Sequence, residues 1–264
     1  MTILRLINQA IHASILAGSK IREVYSQTNF EVQLKNDQTP VTRADQNAHD
    51  EIMRVLASCQ LPVLSEEGTT TGFQERKNWD LFWMVDPLDG TKEFIKRNDE
   101  FTVNIALINK NTSVAGVIYA PITGELYAGI PGSGAYKLIN PTANCSFQFM
   151  QQSGTKLPEK TDRKHFTIAV SRSHMNQETE AYIEALRKKH QSAQVINLGS
   201  SLKMCRIAEG TADVYPKFGK TMEWDTAAAH AIVKAAGKNI YCTDLRTELM
   251  YNKKELQNPH FIVL

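Results

Sequence analysis

Apolar residues recur at near-helical spacing from the start of the chain. Leu4, Ile7, Ile11, Ile15, Ile21 and Val24 predict an amphipathic helix over residues 3–25 with its apolar stripe on a core. Gly18 falls inside it, where glycine weakens a helix. A polar stretch follows, containing Lys35, Asp37 and Thr39-Pro40-Val41-Thr42. It reads as an exposed loop leading into a second helix near Asp45, with His49, Ile52, Met53 and Leu56 along it. Residues 61–64 form a short strand that ends at Ser65-Glu66-Glu67-Gly68, and residues 69–77 read as a flexible polar loop. Leu81-Phe82-Trp83-Met84-Val85 is a buried strand, and Pro87, which lacks an N–H, is expected to end it. Residues 101–108 and 113–120 are apolar and β-branched, separated by the hairpin loop Asn109-Lys110-Asn111-Thr112. Residues 125–130 and 134–138 continue the pattern. This is an antiparallel meander, so the N-terminal half is α+β.

Residues 141–158 are polar and mixed, a boundary zone that divides the chain into halves 1–150 and 151–264. Beyond it strands and helices alternate. Residues 166–170, 194–198, 213–215 and 239–242 read as strands, the last being the final one. Residues 178–189 form a helix with basic residues in its last turn, the favourable end for them. Gly199-Ser200-Ser201 opens another that runs to about residue 209. Asp225 heads a third, over residues 226–236, closed by Gly237. The C-terminal half is therefore α/β.

Composition narrows the picture without changing it. A chain of 264 residues buries a core as one large domain or two modest ones. A hydrophobic content of 42% and a charged content of 22% suit a soluble globular protein. A net charge of +2 argues for neither nucleic acid nor a membrane surface as partner. Cys59, Cys145, Cys205 and Cys242 are far apart and form no CxxC pair, which predicts reduced thiols in a cytoplasmic protein. Arg5, Asn8, Gln9 and His12 interrupt the first apolar residues, so no signal peptide is expected. No apolar run is long enough to span a bilayer.

The candidate chemistry centres on Asp86-Pro87-Leu88-Asp89-Gly90-Thr91, at the end of a buried strand. Two carboxylates flank a forced turn, a glycine lets the backbone approach a ligand, and a threonine adds a hydroxyl. The N–H groups of Gly90, Thr91 and Lys92 open the next helix, an arrangement suited to an anion. Two readings are open: a turn capped by Asp89, or a metal-assisted phosphate site. Glu66-Glu67 is either an exposed acidic loop or a pair that needs a nearby cation. Asp225 suits a helix N-cap, and a carboxylate can cap through one oxygen while binding metal through the other.

Asp86-Pro87-Leu88-Asp89-Gly90-Thr91 resembles the DPxDGT signature of the inositol monophosphatase superfamily, the lithium-sensitive, magnesium-dependent phosphatases. Lys92-Glu93-Phe94-Ile95 resembles its branch of 3'(2'),5'-bisphosphate nucleotidases. Ser65-Glu66-Glu67 and Trp224-Asp225-Thr226-Ala227-Ala228 match further parts of the pattern, which runs along most of the chain. Ala229 stands where the pattern often has glycine. The resemblance implies a layered αβαβα sugar-phosphatase fold with the site between the halves. It implies two Mg2+ ions and allows a third near Glu66. Glu66, Asp86 and the Leu88 main-chain carbonyl match ligands of the first ion, and Asp86, Asp89 and Asp225 those of the second. The segment with Lys35 and Asp37 matches a mobile loop of the metal site. Either Thr91 relaying to Asp45, or Glu66 directly, would handle the proton of the attacking water. Substrate contacts would come from Glu66, Leu88, Asp89, Gly90, Thr91, Ser200, Ser201, Lys203 and Asp225, with Arg172 or His174 as additional candidates; a plain helix start explains the two serines equally well.

The activity implied is hydrolysis of the 3'-phosphate of adenosine 3',5'-bisphosphate to AMP, with the sulfated analogue as a second substrate, in sulfate assimilation. The implied setting is the cytoplasm, with peripheral association at the inner membrane and a monomeric or homodimeric state. An inositol or sugar monophosphatase is the alternative within the superfamily; the 92–95 and 200–203 stretches speak against it. A catalytically silent nucleotide or metal sensor is the alternative outside it, and a sensor needs no hydroxyl such as Thr91.

Overall fold

The first apolar stripe forms one helix, α1 Ile3–Tyr25, which buries Ile7, Ile11, Ile15, Ile21 and Val24. Gly18 has a packing reason: a Cβ there would stand 2.4 Å from a ring carbon of Tyr119, so the glycine seats that ring. The structure, a computed structural model, describes residues 2–27, 32–34, 40–69, 71–159, 162–173 and 175–264. The expectations for Lys35, Asp37, Thr39 and His174 lie outside the described residues. β1 Val32–Leu34 and β2 Pro40–Thr42 pair antiparallel. Thr42 then caps α2 Arg43–Leu56, and its N–H and hydroxyl both donate to Asp45.

β3 Val63–Ser65 leads to α3 Phe73–Arg76, a helix in the stretch expected to be a flexible loop. The sequence looked free of anchors because the anchor is remote. Arg76 is buried and donates to the Asn252 side chain at 2.9 Å and the Lys254 carbonyl at 2.8 Å. β4 Leu81–Asp89 runs through Pro87 instead of ending before it. α4 Thr91–Ile95 follows, then β5 Thr102–Asn109, β6 Thr112–Ala120, β7 Glu125–Ile130 and β8 Gly134–Ile139, the expected meander. α5 Phe147–Ser153 and β9 Thr155–Leu157 occupy the polar zone, and β9 pairs with β8. The result is one seven-stranded sheet in the order β3-β4-β5-β6-β7-β8-β9. It is antiparallel except for the β3–β4 pair.

The C-terminal part contributes β10 Thr167–Ser171, α6 Gln177–Lys189, β11 Gln194–Leu198, α7 Leu202–Glu209, β12 Tyr215–Lys217, α8 Glu223–Ala235, β13 Ile240–Cys242 and β14 Phe261–Val263. β14, three apolar residues at the chain end, was not expected from the sequence, yet it is the central strand of β12-β14-β13. β10 and β11 pair in parallel, and a bridge between Ile168 and Val214 links them to the β12 sheet. The layers follow from the faces. α1 and α2 cover one face of the large sheet through Val85, Val103, Ile105 and Val117. α7 and α8 cover the other through Met84, Ala106, Ile118 and Tyr127, with the C-terminal strands beyond them. α6 closes the outer side over Ile168, Val170 and Ile262. This is the layered αβαβα arrangement. α8 lies unusually close to the sheet: a Cβ on Gly116 would sit 2.1 Å from the Ala228 carbonyl oxygen. Among the described residues no helix is long and apolar enough to cross a membrane.

Candidate functional site

In a regular strand, residues three apart point to opposite faces. Asp86 and Asp89 are three apart, yet Asp86 pairs with Asn104 and Asp89 with Thr102, two residues that share a face of β5. One extra residue in β4 therefore makes a bulge between the two acids and turns both toward the same side. Pro87 sits inside that bulge, where the ladder makes no demand on its nitrogen; this is why it fails to end the strand. The shared face is the one covered by α8, whose first turn carries Asp225.

Asp225 is not the N-cap. Met222 holds that position, and Asp225, three residues on, accepts from the Met222 N–H at 2.9 Å through Oδ2. Capping engages that oxygen. Asp89 likewise does not cap α4: Gly90 does, with φ +97°, a conformation that suits glycine. Glu66 follows the last residue of β3, and its N–H donates to the Val85 carbonyl at 3.1 Å. Carboxylate oxygens of Glu66, Asp86 and Asp225 come within 4.8 Å of one another. Asn104 donates to Asp89 at 3.3 Å, and the Leu88 N–H to Asp86 at 3.1 Å.

Burial raises the Asp86 carboxyl well above the usual range, and Glu66, Asp89 and Asp225 raise it further. Asp225 is raised by burial first, then by Asp89 and Glu66. Burial lifts Asp89 to about 6, against the pull of Lys203 and Asn104. With their carboxyls raised, Asp86, Asp89 and Asp225 favour holding protons unless a cation replaces them. Together with Glu66 they are hard oxygen donors, which fits Mg2+ or a similar ion. The donor set thus fits a divalent cation.

On the other flank the Thr91 hydroxyl donates to Asp45 Oδ1 at 3.1 Å, while Asp45 Oδ2 is held by Thr42. A cleft of about 240 Å3 opens over Thr91 and the acids at the ends of β3 and β4 and in α8. Glu66, Asp86, Leu88, Asp89, Gly90, Thr91, Ser200, Lys203 and Asp225 all line it. Ser201 does not. It is fully buried, and its hydroxyl lies 2.8 Å from Thr102 Oγ1 and donates to Asn104 Oδ1 at 2.9 Å. Its place is behind the wall, bracing the asparagine that holds Asp89. Arg172 forms a two-pronged pair with Glu100 and donates to the Asn197 carbonyl, so its guanidinium is committed to β11 and the segment before β5.

Several residues of the site escaped the sequence reading, and of Lys92 only the main-chain N–H was expected there. Asn104 carried a signal, being a polar residue within the apolar run at 101–108. Lys217, Lys220 and Lys92 also line the cleft. Lys217 ends β12 and Lys220 follows it, shortly before Asp225, a position that only the fold turns inward. Burial lowers the Lys203 ammonium to about 8 against the attraction of Asp89, and burial lowers Lys217 as well.

The Inositol monophosphatase family profile matches residues 4–260. The 3'(2'),5'-bisphosphate nucleotidase CysQ of Shigella flexneri is 42% identical over 240 residues, 89% of this chain and 90% of that protein. The protein of the same name from Haemophilus influenzae is 36% identical over 264 residues, 98% of this chain and 92% of that protein. The crystal structure of CysQ from Bacteroides thetaiotaomicron, a bacterial member of the inositol monophosphatase family, has a TM-score of 0.92 at 47% identity. It covers 99% of this chain and 97% of that one.

Proposed function

The chain belongs to the inositol monophosphatase family, and from that premise we propose that it is a 3'(2'),5'-bisphosphate nucleotidase. The reaction is Mg2+-dependent hydrolysis of the 3'-phosphate of adenosine 3',5'-bisphosphate to AMP and phosphate, with the sulfated analogue as a further substrate. The observation that carries this reading is the convergence of Asp86, Asp89, Asp225 and Glu66 beside the Thr91–Asp45 pair on one cleft.

Glu66, Asp86 and the Leu88 carbonyl would hold one Mg2+ and Asp86, Asp89 and Asp225 a second, with a third adjoining Glu66. Bound there, Mg2+ supplies positive charge to the phosphate oxygens and lowers the pKa of water. The chain's own part is proton handling and positioning. The Thr91 hydroxyl gives its proton toward Asp45 and takes one from the attacking water. Thr42 fixes Asp45 for this task, which favours the Thr91–Asp45 pair over Glu66 as the acceptor. The transferred phosphate rests on the N–H groups of Gly90 and Thr91. Ser200, Lys203, Lys217, Lys220 and Lys92 offer donors and positive charge to the second phosphate. Residues 1–150 thus supply most of the acids, and residues 151–264 supply Asp225 and the substrate contacts. The family relation supports a cytoplasmic setting; peripheral association with the inner membrane and a monomeric or homodimeric state belong to the proposal.

The test is phosphate release from a panel of substrates, with and without Mg2+, for wild type and Asp89→Asn. The bisphosphate nucleotide is expected to be the preferred substrate, with turnover lost on chelation and inhibited by Li+. Asp89→Asn is expected to lose about 10²-fold or more in kcat with the fold intact. Faster release from inositol phosphate, or nucleotide binding without turnover in Mg2+, would overturn the assignment.

A further inference from the structure

The Thr91–Asp45 pair and Glu66 sit on different elements, and one helix touches both. α2 carries Asp45 in its first turn and His49 four residues later, on the same helix face. His49 Nδ1 lies 2.9 Å from the hydroxyl of Ser65. Ser65 is the last residue of β3 and stands directly before Glu66. The β3–β4 pairing ends at Ser65–Val85, with the Glu66 N–H still donating to the Val85 carbonyl at 3.1 Å, and past that bond the turn leaves the sheet. The turn is closed by the Gly68 N–H on the Ser65 carbonyl at 3.1 Å, and a Cβ on Gly68 would be 3.6 Å from His49 Cε1. The imidazole therefore abuts the turn at both its ends, through Ser65 and through Gly68.

We propose that His49 is a positioning residue for the metal centre. It fixes the Ser65–Gly68 turn, and with it the carboxylate of Glu66. Because Asp45 lies one helical turn earlier, the same rigid bar sets Glu66 in register with Thr91. Side chains behind a metal ligand govern affinity because they fix where the ligand oxygen stands. The inference rests on the reading of the acidic cluster as a Mg2+ site.

The test is Mg2+ binding by calorimetry, without substrate, for wild type, His49→Ala, His49→Asn and Ser65→Ala, together with the Mg2+ dependence of phosphate release. His49→Ala and Ser65→Ala are each expected to weaken Mg2+ by about tenfold or more, and the double variant no further than either alone. kcat at saturating Mg2+ stays near the wild-type value. The amide of asparagine reaches the place of Nδ1, so His49→Asn restores binding to within about twofold. If His49→Ala fails to fold, Ser65→Ala removes the same bond from its other end. A wild type that binds Mg2+ alongside an unaltered His49→Ala or Ser65→Ala overturns this inference alone, and so does His49→Asn binding as weakly as alanine. A wild type that binds no Mg2+ overturns the reading of the site, and this inference with it.

Discussion

Asp45 shows how much of the site is decided by which oxygen meets which donor. Its Oδ2 takes two hydrogen bonds from Thr42, both at 2.7 Å, so Oδ1 is presented to Thr91 in one orientation. Thr91→Val keeps the shape and removes the proton relay. We expect kcat to fall by about 10²–10⁴ while calorimetric Mg2+ affinity holds, because Thr91 is not among the metal ligands. A parallel loss of metal affinity would show that Thr91 acts through the acids instead. His230 makes a different point about single residues. It is buried on α8, with Nδ1 2.9 Å from the Tyr251 hydroxyl and Nε2 2.8 Å from Asn239 Oδ1. Burial lowers its pKa to about 4, against a raising contribution from Asn239. The unfolded chain, with an imidazole near 6.5, therefore protonates first on acidification. The stability from the neutral ring is complete above about pH 6.5 and is lost as the pH falls toward 4, a loss on the order of 3 kcal/mol. Urea midpoints between pH 7 and pH 4.5 should fall more steeply for wild type than for His230→Gln; parallel slopes would rule this out.

At the scale of elements, a one-residue bulge and two glycines place the acids. The bulge in β4 brings Asp86 and Asp89 onto the α8 face, and Gly116 and Gly129 let α8 settle there. Gly116→Ala forces a Cβ against the Ala228 backbone. The expected cost is about 1–3 kcal/mol, read as a lower urea midpoint. Since α8 brings Asp225, the rise in Tm produced by Mg2+ should also be smaller in this variant than in wild type. Equal Mg2+ shifts would mean that α8 tilts without moving Asp225. The same elements show what could be read beforehand. α1, the meander and the alternation after residue 166 follow from periods of 3.6 and 2, which depend only on local order. The proposed ligand residues could be singled out because a six-residue signature carries three of them. The bulge could not: Pro87 reads as a strand terminator, and only the pairing with Asn104 and Thr102 reveals an extra residue. Ser201 misled for a similar reason, since a helix-opening serine can face the cleft or the wall behind it. β14 was missed because three apolar residues carry too short a period, and α3 because its anchor, Asn252, lies far along the chain.

Across the whole molecule, the cleft depends on two layers staying in place, and a charged cluster pins them. Glu125 on β7 and Lys137 on β8 meet Arg206 and Glu209 on α7, with Tyr127 donating to Glu209 at 2.7 Å. Burial raises the Glu125 carboxyl, but the hydrogen bonds from Arg206 and Lys137 outweigh it and take the group down to about 2. Arg206→Met leaves two largely buried carboxylates with Lys137 as the remaining cation. Removing one partner of a buried pair costs about 3–5 kcal/mol, and the low end applies because Lys137 still faces both acids. The function should divide along the same seam. The proposed metal ligands lie at the ends of β3 and β4 and in the first turn of α8, none of them on α7. Lys203 is on α7, and Ser200 lies two residues before that helix begins. Arg206→Met is therefore expected to unfold at lower urea and to raise KM for the bisphosphate nucleotide, while Mg2+ affinity stays at the wild-type value. Coupled losses of metal and substrate binding would instead mean that α7 and α8 move as one body, so that the seam runs between the sheet and both helices together.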